Sequence, residues 1–455
     1  MSHFDRIRRR PGELGQTIPL LAALIIVLLM FVGLAIDLGF GYITRADLSK
    51  GVDAAALIGI QNYGLGATQA QNIALSAFAA NYVQTGRDNT APVVNAVLGQ
   101  DAVGDPQITV TATATINTFF MPGWSTFRVS STSTAIRNPV IMSLVLDKSS
   151  SMTTNGGAAA LPQAVKDFVN LFSSNLDQAE MITFGSTALS SNGNGSSYVP
   201  MGTNFNGNNG TITNAVSNIN FGGHTYSVGG LKIAYTDELN AQPLVQGQSP
   251  QKVVVFFTDG WANTIQQALP SCSVQTPINF GGYDANNFST APNGPPTTVD
   301  FWDPTTGGGL CTVNGGATPN CANFSCPAGA TFTPAAPGNL GQFSRYNVTT
   351  DAQYQAVQQA NQMRFQGMSV YAIGLGGKIN PTFLYQIAND CINGPQNGVP
   401  CNSSIPQGET VFVPDCPQGT GDTGGGNQTQ SAQCSAELDS AFQYIAQRIL
   451  FRLTN

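Results

Sequence analysis

The sequence predicts an α/β chain: a doubly wound, mostly parallel sheet with long insertions, preceded by a single membrane-length helix and a small α+β segment. Three observations lead there. Two nearly unbroken apolar runs, residues 140–146 and 252–258, each deliver a carboxylate, Asp147 and Asp259, and such runs read as strands buried on both faces of a parallel sheet. Stretches with apolar residues at helical spacing follow these runs and supply helices to cover the sheet. Ahead of everything, residues 17–36 form 20 positions without a charge.

That uncharged run comes first in the chain. At about 1.5 Å per residue it spans roughly 30 Å, the hydrocarbon thickness of a bilayer. A cleaved signal peptide has an apolar region about half as long and ends in a small-residue cleavage site, which does not follow here. Asp37 would cost about 2.5–3.5 kcal/mol at the centre of a membrane helix, so it is expected at the outer interface. Arg6, Arg8, Arg9 and Arg10 crowd the near side, whereas residues 38–57 hold only Arg45 and Lys50 as basic residues. The positive-inside rule then gives a cytoplasmic basic tail at 1–16 and a transmembrane helix at 17–37. The bulk of the chain is expected on the far side of the cytoplasmic membrane, periplasmic or extracellular. Beyond the tail, 14 basic and 23 acidic residues leave a net charge of −9, which argues against nucleic acid as a partner.

Residues 42–84 are Ala-rich and expected to be helical, with a break at Gly64-Leu-Gly66. Residues 107–120 alternate at period two and 126–136 do so again after Pro-Gly-Trp, a hairpin signal. A membrane helix running into an Ala-rich helix and then a hairpin resembles the pseudopilin-like N-terminal region of Tad (tight adherence) pilus-assembly proteins. The likeness is carried over roughly residues 12–60 by Gly15-Gln-Thr17, Gly33-Leu-Ala-Ile-Asp-Leu-Gly39 and Asp53-Ala-Ala-Ala-Leu57. The run Leu450-Phe-Arg-Leu-Thr454 is similar to the way such proteins end. Prepilin-type processing uses a Gly before the cut and a Glu five residues on. Here Leu20 stands at that distance from Gly15 and Thr17 from Gly12, so a retained anchor is expected. This segment is assigned to residues 38–137.

The remainder, 138–455, is organised around Asp147-x-Ser149-x-Ser151. One carboxylate and two hydroxyls at alternate positions are hard oxygen donors that a tight loop can turn toward a small divalent cation such as magnesium. Gly222-Gly-His-Thr225 precedes a helix with Val228, Leu231, Tyr235 and Leu239 on its apolar side, which places the Thr225 hydroxyl at a helix N-terminus. In a sheet of order 3-2-1-4-5-6 the first and fourth strands are neighbours, and ligands sit at their carboxyl ends. With 140–146 first and 252–258 fourth, Asp147 and Asp259 meet there.

The set Asp147-x-Ser149-x-Ser151, Thr225 within Gly-Gly-x-Thr-x4-Gly-Leu, and Thr258-Asp259-Gly260 resembles the von Willebrand factor type A domain with its metal-ion-dependent adhesion site. With the preceding segment, the match is to the TadG-like branch of the Tad proteins. The resemblance implies Ser149, Ser151 and Thr225 as direct ligands of Mg2+ (or Mn2+ or Ca2+), with Asp147 and Asp259 close by or acting through water. It also implies an open coordination position for an acidic residue of a protein partner. Lys148 is unusual for the pattern and is expected to add positive charge beside the ion.

Further along, Leu161, Val165, Phe168, Val169 and Phe172 mark one covering helix. Strands are expected at 181–184 and 369–375. Leu438, Phe442, Ile445, Ala446, Ile449 and Leu453 form the stripe of the last helix. Insertions at about 186–212, 262–345 and 392–434 carry little regular pattern. Loops of that length are functional or disordered, and the first two lie near the metal edge.

Charged residues make up 9% of the chain, against about 25% in typical soluble domains, and all eight cysteines lie in the second half. Disulfides are the natural reading, with the pairing open; zinc is the rival, although only His3 and His224 are present and no C-x-x-C occurs. No nucleophile elbow, P-loop or H-E-x-x-H occurs. The expected role is not enzymatic: a metal-dependent binding or scaffold protein of a Tad-type (Flp) pilus machine. A free-standing adhesin is the alternative, and a metal-dependent hydrolase the distant one.

Overall fold

The structure is a computed structural model that describes residues 17–84, 90–120, 125–154, 156–192, 197–269, 274–283, 298–306, 309–314, 320–321, 324–325, 332–336, 345–377, 379–413 and 428–450. The basic tail, both candidate processing glycines, Cys272, Cys326, Cys416 and Leu453 lie outside the described residues. The chain divides into two compact units, one of residues 1–102 and 106–137, the other of 103–105 and 138–455.

In the first unit the uncharged run opens α1 (Thr17–Gln61), which continues as one helix of 45 residues. It includes an 18-residue window long and apolar enough to cross a membrane, and the large apolar side chains from Leu20 to Val32 are exposed. Gly66, at φ 101°, separates it from α2 (Ala67–Asn81). Only glycine adopts that backbone without strain, which is why the Gly64-Leu-Gly66 break falls where it does. The outer half of α1 and α2 pack on a three-stranded antiparallel sheet of β1 (Val93–Gln100), β2 (Pro106–Asn117) and β3 (Thr126–Ile136), in that order. Alternation in β2 buries Ile108, Val110, Ala112, Ala114 and Ile116, the first four in a core with Leu48, Val52 and Phe78. On the other face Thr109 and Thr111 pair with Thr134 and Thr132 at 2.9 and 3.0 Å. The strand β1 has no counterpart in the sequence reading, because its burial alternates only weakly.

The second unit begins with β4 (Val140–Asp147), α3 (Ser150–Thr154), α4 (Gly157–Val169), β5 (Gln178–Phe184) and β6 (Tyr198–Gly202). Next come α5 (Thr211–Ala215), α6 (Ser227–Asn240) and β7 (Gln251–Thr258). The 262–345 stretch then forms β8 (Thr264–Leu269), β9 (Val274–Tyr283), β10 (Thr298–Trp302) and β11 (Gly309–Asn314), with a short pair β12 (Asn320–Cys321) and β13 (Phe324–Ser325). The chain closes with α7 (Arg345–Phe365), β14 (Ser369–Leu375), α8 (Pro381–Ala388), β15 (Thr410–Val413) and α9 (Gln428–Leu450).

The central sheet has the order β15-β14-β7-β4-β5-β6, parallel throughout except for β6. Its middle strands alternate between two cores. Met142, Leu144 and Leu146 of β4, with Val253, Val255 and Phe257 of β7, meet α4 and α9 on one side. On the other side Val145, Val254 and Phe256 meet α6, α7 and α8. Burial on both faces is what makes these strands read as continuous apolar runs.

Two expectations change. Leu239 is 41% exposed and the buried stripe of α6 instead runs through Leu231, Ala234 and Glu238; Ser143 makes the carboxyl acceptable by donating to it. The insertions are also not plain loops. The first contributes the edge strand β6, the third the edge strand β15, and the second a four-stranded antiparallel sheet of order β11-β10-β9-β8. Ile265, Leu269, Ile278, Phe280 and Phe301 of that sheet join the second core. Cys391 and Cys401 form a disulfide, and Cys434 is disulfide-bonded as well.

Candidate metal centre

The register of the two central strands builds the site. Leu146 pairs with Phe257, so the next residues, Asp147 and Thr258, emerge side by side at the carboxyl edge of the sheet. The Thr258 hydroxyl donates to Asp147 Oδ2 at 2.6 Å, and the Ser149 backbone N–H donates to Oδ1 at 2.8 Å. Both bonds fix the carboxylate and pull its pKa down. Complete burial outweighs them and pushes Asp147 up to about 6.

From Asp147 the chain turns into α3, and a row of oxygens follows. Ser149 Oγ and Ser151 Oγ stand 2.9 Å apart, and Ser151 Oγ donates to Asp259 Oδ1 at 2.7 Å. Asp147 and Asp259 are fully buried and Ser149 nearly so. Thr225 reaches the same edge through the backbone: its N–H donates to Asn263 Oδ1 at 2.9 Å, and its carbonyl accepts from Asn263 N–H at 3.1 Å. The loop before it is tied to the serine turn by Gly223 O, which accepts from Ser150 N–H at 3.0 Å and from Ser150 Oγ at 2.9 Å.

All five residues singled out in the sequence thus stand at one edge of the sheet, Asp147 at the end of β4 and Ser151 in α3, and four of them lie in a single hydrogen-bonded row. Thr258, Asn263 and the Gly223 carbonyl are additions. Thr258 belongs to the Thr-Asp-Gly signature but had no separate role; nothing in the sequence marked Asn263. Lys148 is buried, with its ammonium beside Gly185, where a Cβ would lie 3.2 Å from Nζ. Burial lowers its pKa, and the neighbouring Asp147 opposes that shift. The groups at this edge are carboxylates and hydroxyls, hard oxygen donors suited to magnesium, manganese or calcium rather than to a soft metal. Among the described residues no three His, Cys, Asp or Glu side chains converge as metal ligands, so hydroxyls would have to complete any coordination here.

Residues 142–261 match the family of von Willebrand factor type A domains. Residues 15–74 match the family described as Flp pilus-assembly TadE/G-like. Comparison with curated proteins gave no match. Among solved structures, the chain is similar to the pilus adhesin SpaC from Lactobacillus rhamnosus GG in its open conformation, at 15% identity over 81% of this chain and 35% of that one, with a TM-score of 0.36. It is similar to a von Willebrand factor type A protein from Catenulispora acidiphila at 12% identity over 81% of this chain and 52% of that one, TM-score 0.34. Manganese-loaded TRAP protein from Plasmodium vivax matches at 14% identity over 55% and 63% of the two chains, TM-score 0.30. The chain spans about a third of the first of these structures and about half of the second.

Proposed function

We propose that this chain, a Tad-like segment followed by a von Willebrand factor type A domain, is a membrane-anchored, extracytoplasmic binding or scaffold protein of a Tad-type (Flp) pilus machine. On this reading it is a binder and not a catalyst. The observation that carries the proposal is the oxygen row Ser149–Ser151–Asp259 beside the buried Asp147, at the carboxyl ends of two adjacent parallel strands. Ser149, Ser151 and Thr225 would hold a divalent cation directly, with Asp147 and Asp259 beside it or acting through water. A cation bound there supplies a position that a partner's carboxylate can occupy.

The chain's own residues do the rest. Thr258 and the Ser149 amide orient Asp147; Asn263 holds the Thr225 loop; the Gly223 carbonyl keeps the serine turn against that loop. The buried carboxylates Asp147 and Asp259 favour a cation over an anion, and neutral hydroxyls leave part of the ion's charge for the partner. The anchor is α1, with its N-terminus in the cytoplasm and the second unit across the membrane.

The test is metal-dependent capture. The full chain, immobilised in detergent with millimolar magnesium, should retain pilus or envelope components from the same cells, identified by mass spectrometry, and Thr225→Ala should retain less. Identical capture in the presence of EDTA would overturn the metal-mediated reading, and capture of matrix molecules alone would favour a free-standing adhesin.

A further inference from the structure

The β2–β3 turn carries two aromatic side chains into the open: Phe119 is 67% and Phe120 53% exposed. Their backbone is not free. Phe119 N–H donates to Asp37 Oδ1 at 3.1 Å and Phe120 N–H to Oδ2 at 2.9 Å, while Thr118 N–H closes the turn on Ser125 O at 3.0 Å. Asp37 itself is only 1% exposed. The turn therefore covers the one charge on α1 between Thr17 and Thr44. Two glycines permit the approach. A Cβ on Gly33 would overlap the Phe120 side chain, and one on Gly41 would lie 2.7 Å from Phe127 Cζ.

Depth along α1 follows from helix geometry. If the hydrocarbon core begins at Thr17, 20 residues carry it roughly 30 Å to Ile36. Phe120, against Gly33, then lies one turn inside that limit. With Asp37 covered, the exposed face of α1 stays uncharged from Ile18 to Ile43, about 39 Å, close to the thickness of a bilayer with its headgroups. Tyr42, exposed, and Arg45 are residues of the kind that mark a membrane surface. Backbone amides at such a depth must find partners within the protein, and the Asp37 carboxylate provides them for Phe119 and Phe120.

We propose that the residues just past β2, Phe119 and Phe120, are a second membrane contact. Phe119 and Phe120 enter the lipid beside α1, and the bilayer surface lies near Tyr42–Arg45 rather than at Asp37. The proposal rests on α1 being a membrane anchor. The occupant is lipid because the aromatic pair continues the exposed apolar surface of α1 at the same level, with no exposed charge between them.

Nitroxide labels on Leu29→Cys, Phe119→Cys and Val97→Cys of the full chain test it, in phosphatidylethanolamine–phosphatidylglycerol vesicles, with the unsubstituted chain labelled in parallel as background. The label at 29 should collide with oxygen and lose its collisions with a water-soluble nickel chelate, that at 97 should collide with nickel, and that at 119 should behave like 29. If 29 is shielded from nickel and 119 behaves like 97, the pair lies in water and the inference falls while the anchor stands. Nickel access at 29 would remove the anchor and the inference together. A label at 119 shielded from both oxygen and nickel would mean that protein covers it, which also overturns the proposal.

Discussion

Asn263 does for Thr225 what Thr258 does for Asp147: it holds a site residue without being one of the five. Partners of this kind set the orientation of metal ligands, and losing one typically weakens metal affinity by about 10–100-fold. Asn263→Ala should therefore weaken magnesium binding by roughly that factor with the far-UV spectrum unchanged, as isothermal calorimetry would record. Away from the edge, Ser143 on β4 bridges two buried acids, Glu180 Oε1 at 2.5 Å and Glu238 Oε1 at 2.9 Å. Burial pushes Glu180 up to about 10 and Glu238 well above its ordinary value. Asp237 raises both further, and Lys252 opposes the shift of Glu238; Tyr198, which also faces the group, has its own pKa raised by burial and by Asp237. Since the folded state holds these protons more tightly than the unfolded one, their stabilisation is complete below about pH 4.5 and is lost as pH rises toward about 10. One such proton makes a slope of about 1.4 kcal/mol per pH unit. Urea unfolding between pH 5 and 9 should show stability falling with pH, and Glu180→Gln should flatten the curve; an unchanged slope in the variant would exclude Glu180 as its source. Neither acid was legible in the sequence as a core residue: Glu238 sits one position before Leu239, and the apolar stripe of α6 favoured the leucine.

The elements that could be read were those whose pattern is made by a single packing environment. The strands β4, β7 and β14 are buried on both faces, and α4 and α9 each bury one continuous stripe. The strands of the second insertion gave no such signal. Pro277, Gly281 and Gly282 interrupt the alternation of β9, and the pairing shifts register between Gln267 and Leu269 on β8. Helix α7 was equally hidden, because its buried face is Val348, Ala352, Ala356, Ala360 and Met363, small residues among Gln, Asn and Thr. The closing helix shows how an element is locked. Phe442 of α9 is fully buried, with ring centroids 5.4 Å from Phe168 on α4 and 6.0 Å from Phe257 on β7. Phe442→Ala leaves a cavity between helix and sheet and should cost about 3–5 kcal/mol, measurable as a lower midpoint in urea. A loss below about 1 kcal/mol would mean that α9 is not part of the cooperative core.

At the scale of the whole chain, two sequence-borne properties await measurement: topology and redox state. The basic tail predicts that a cysteine at Ser2→Cys is shielded from an impermeant thiol reagent in intact spheroplasts, while one at Asn95→Cys is labelled; the reverse pattern would invert the chain. The cysteine count predicts four disulfides and no free thiol by non-reducing mass spectrometry, and two or more free thiols would contradict it. The candidate site itself was legible because its residues fall in three short signatures at strand ends and loops, where side-chain chemistry is exposed in the sequence; the backbone ties through Gly223 and Asn263 were not, since they arise only when the loops meet. The central claim is that this edge binds a divalent cation, and the most direct measurement is magnesium titration of the purified full chain by calorimetry and thermal unfolding. With a dissociation constant of about 0.1 mM, 10 mM metal should stabilise the fold by about 2.7 kcal/mol and raise the melting temperature by several degrees. The account predicts one ion per chain for the wild type, weaker binding in Thr225→Ala, and no binding and no thermal shift in Asp147→Ala, whereas an equal response in all three proteins would contradict it.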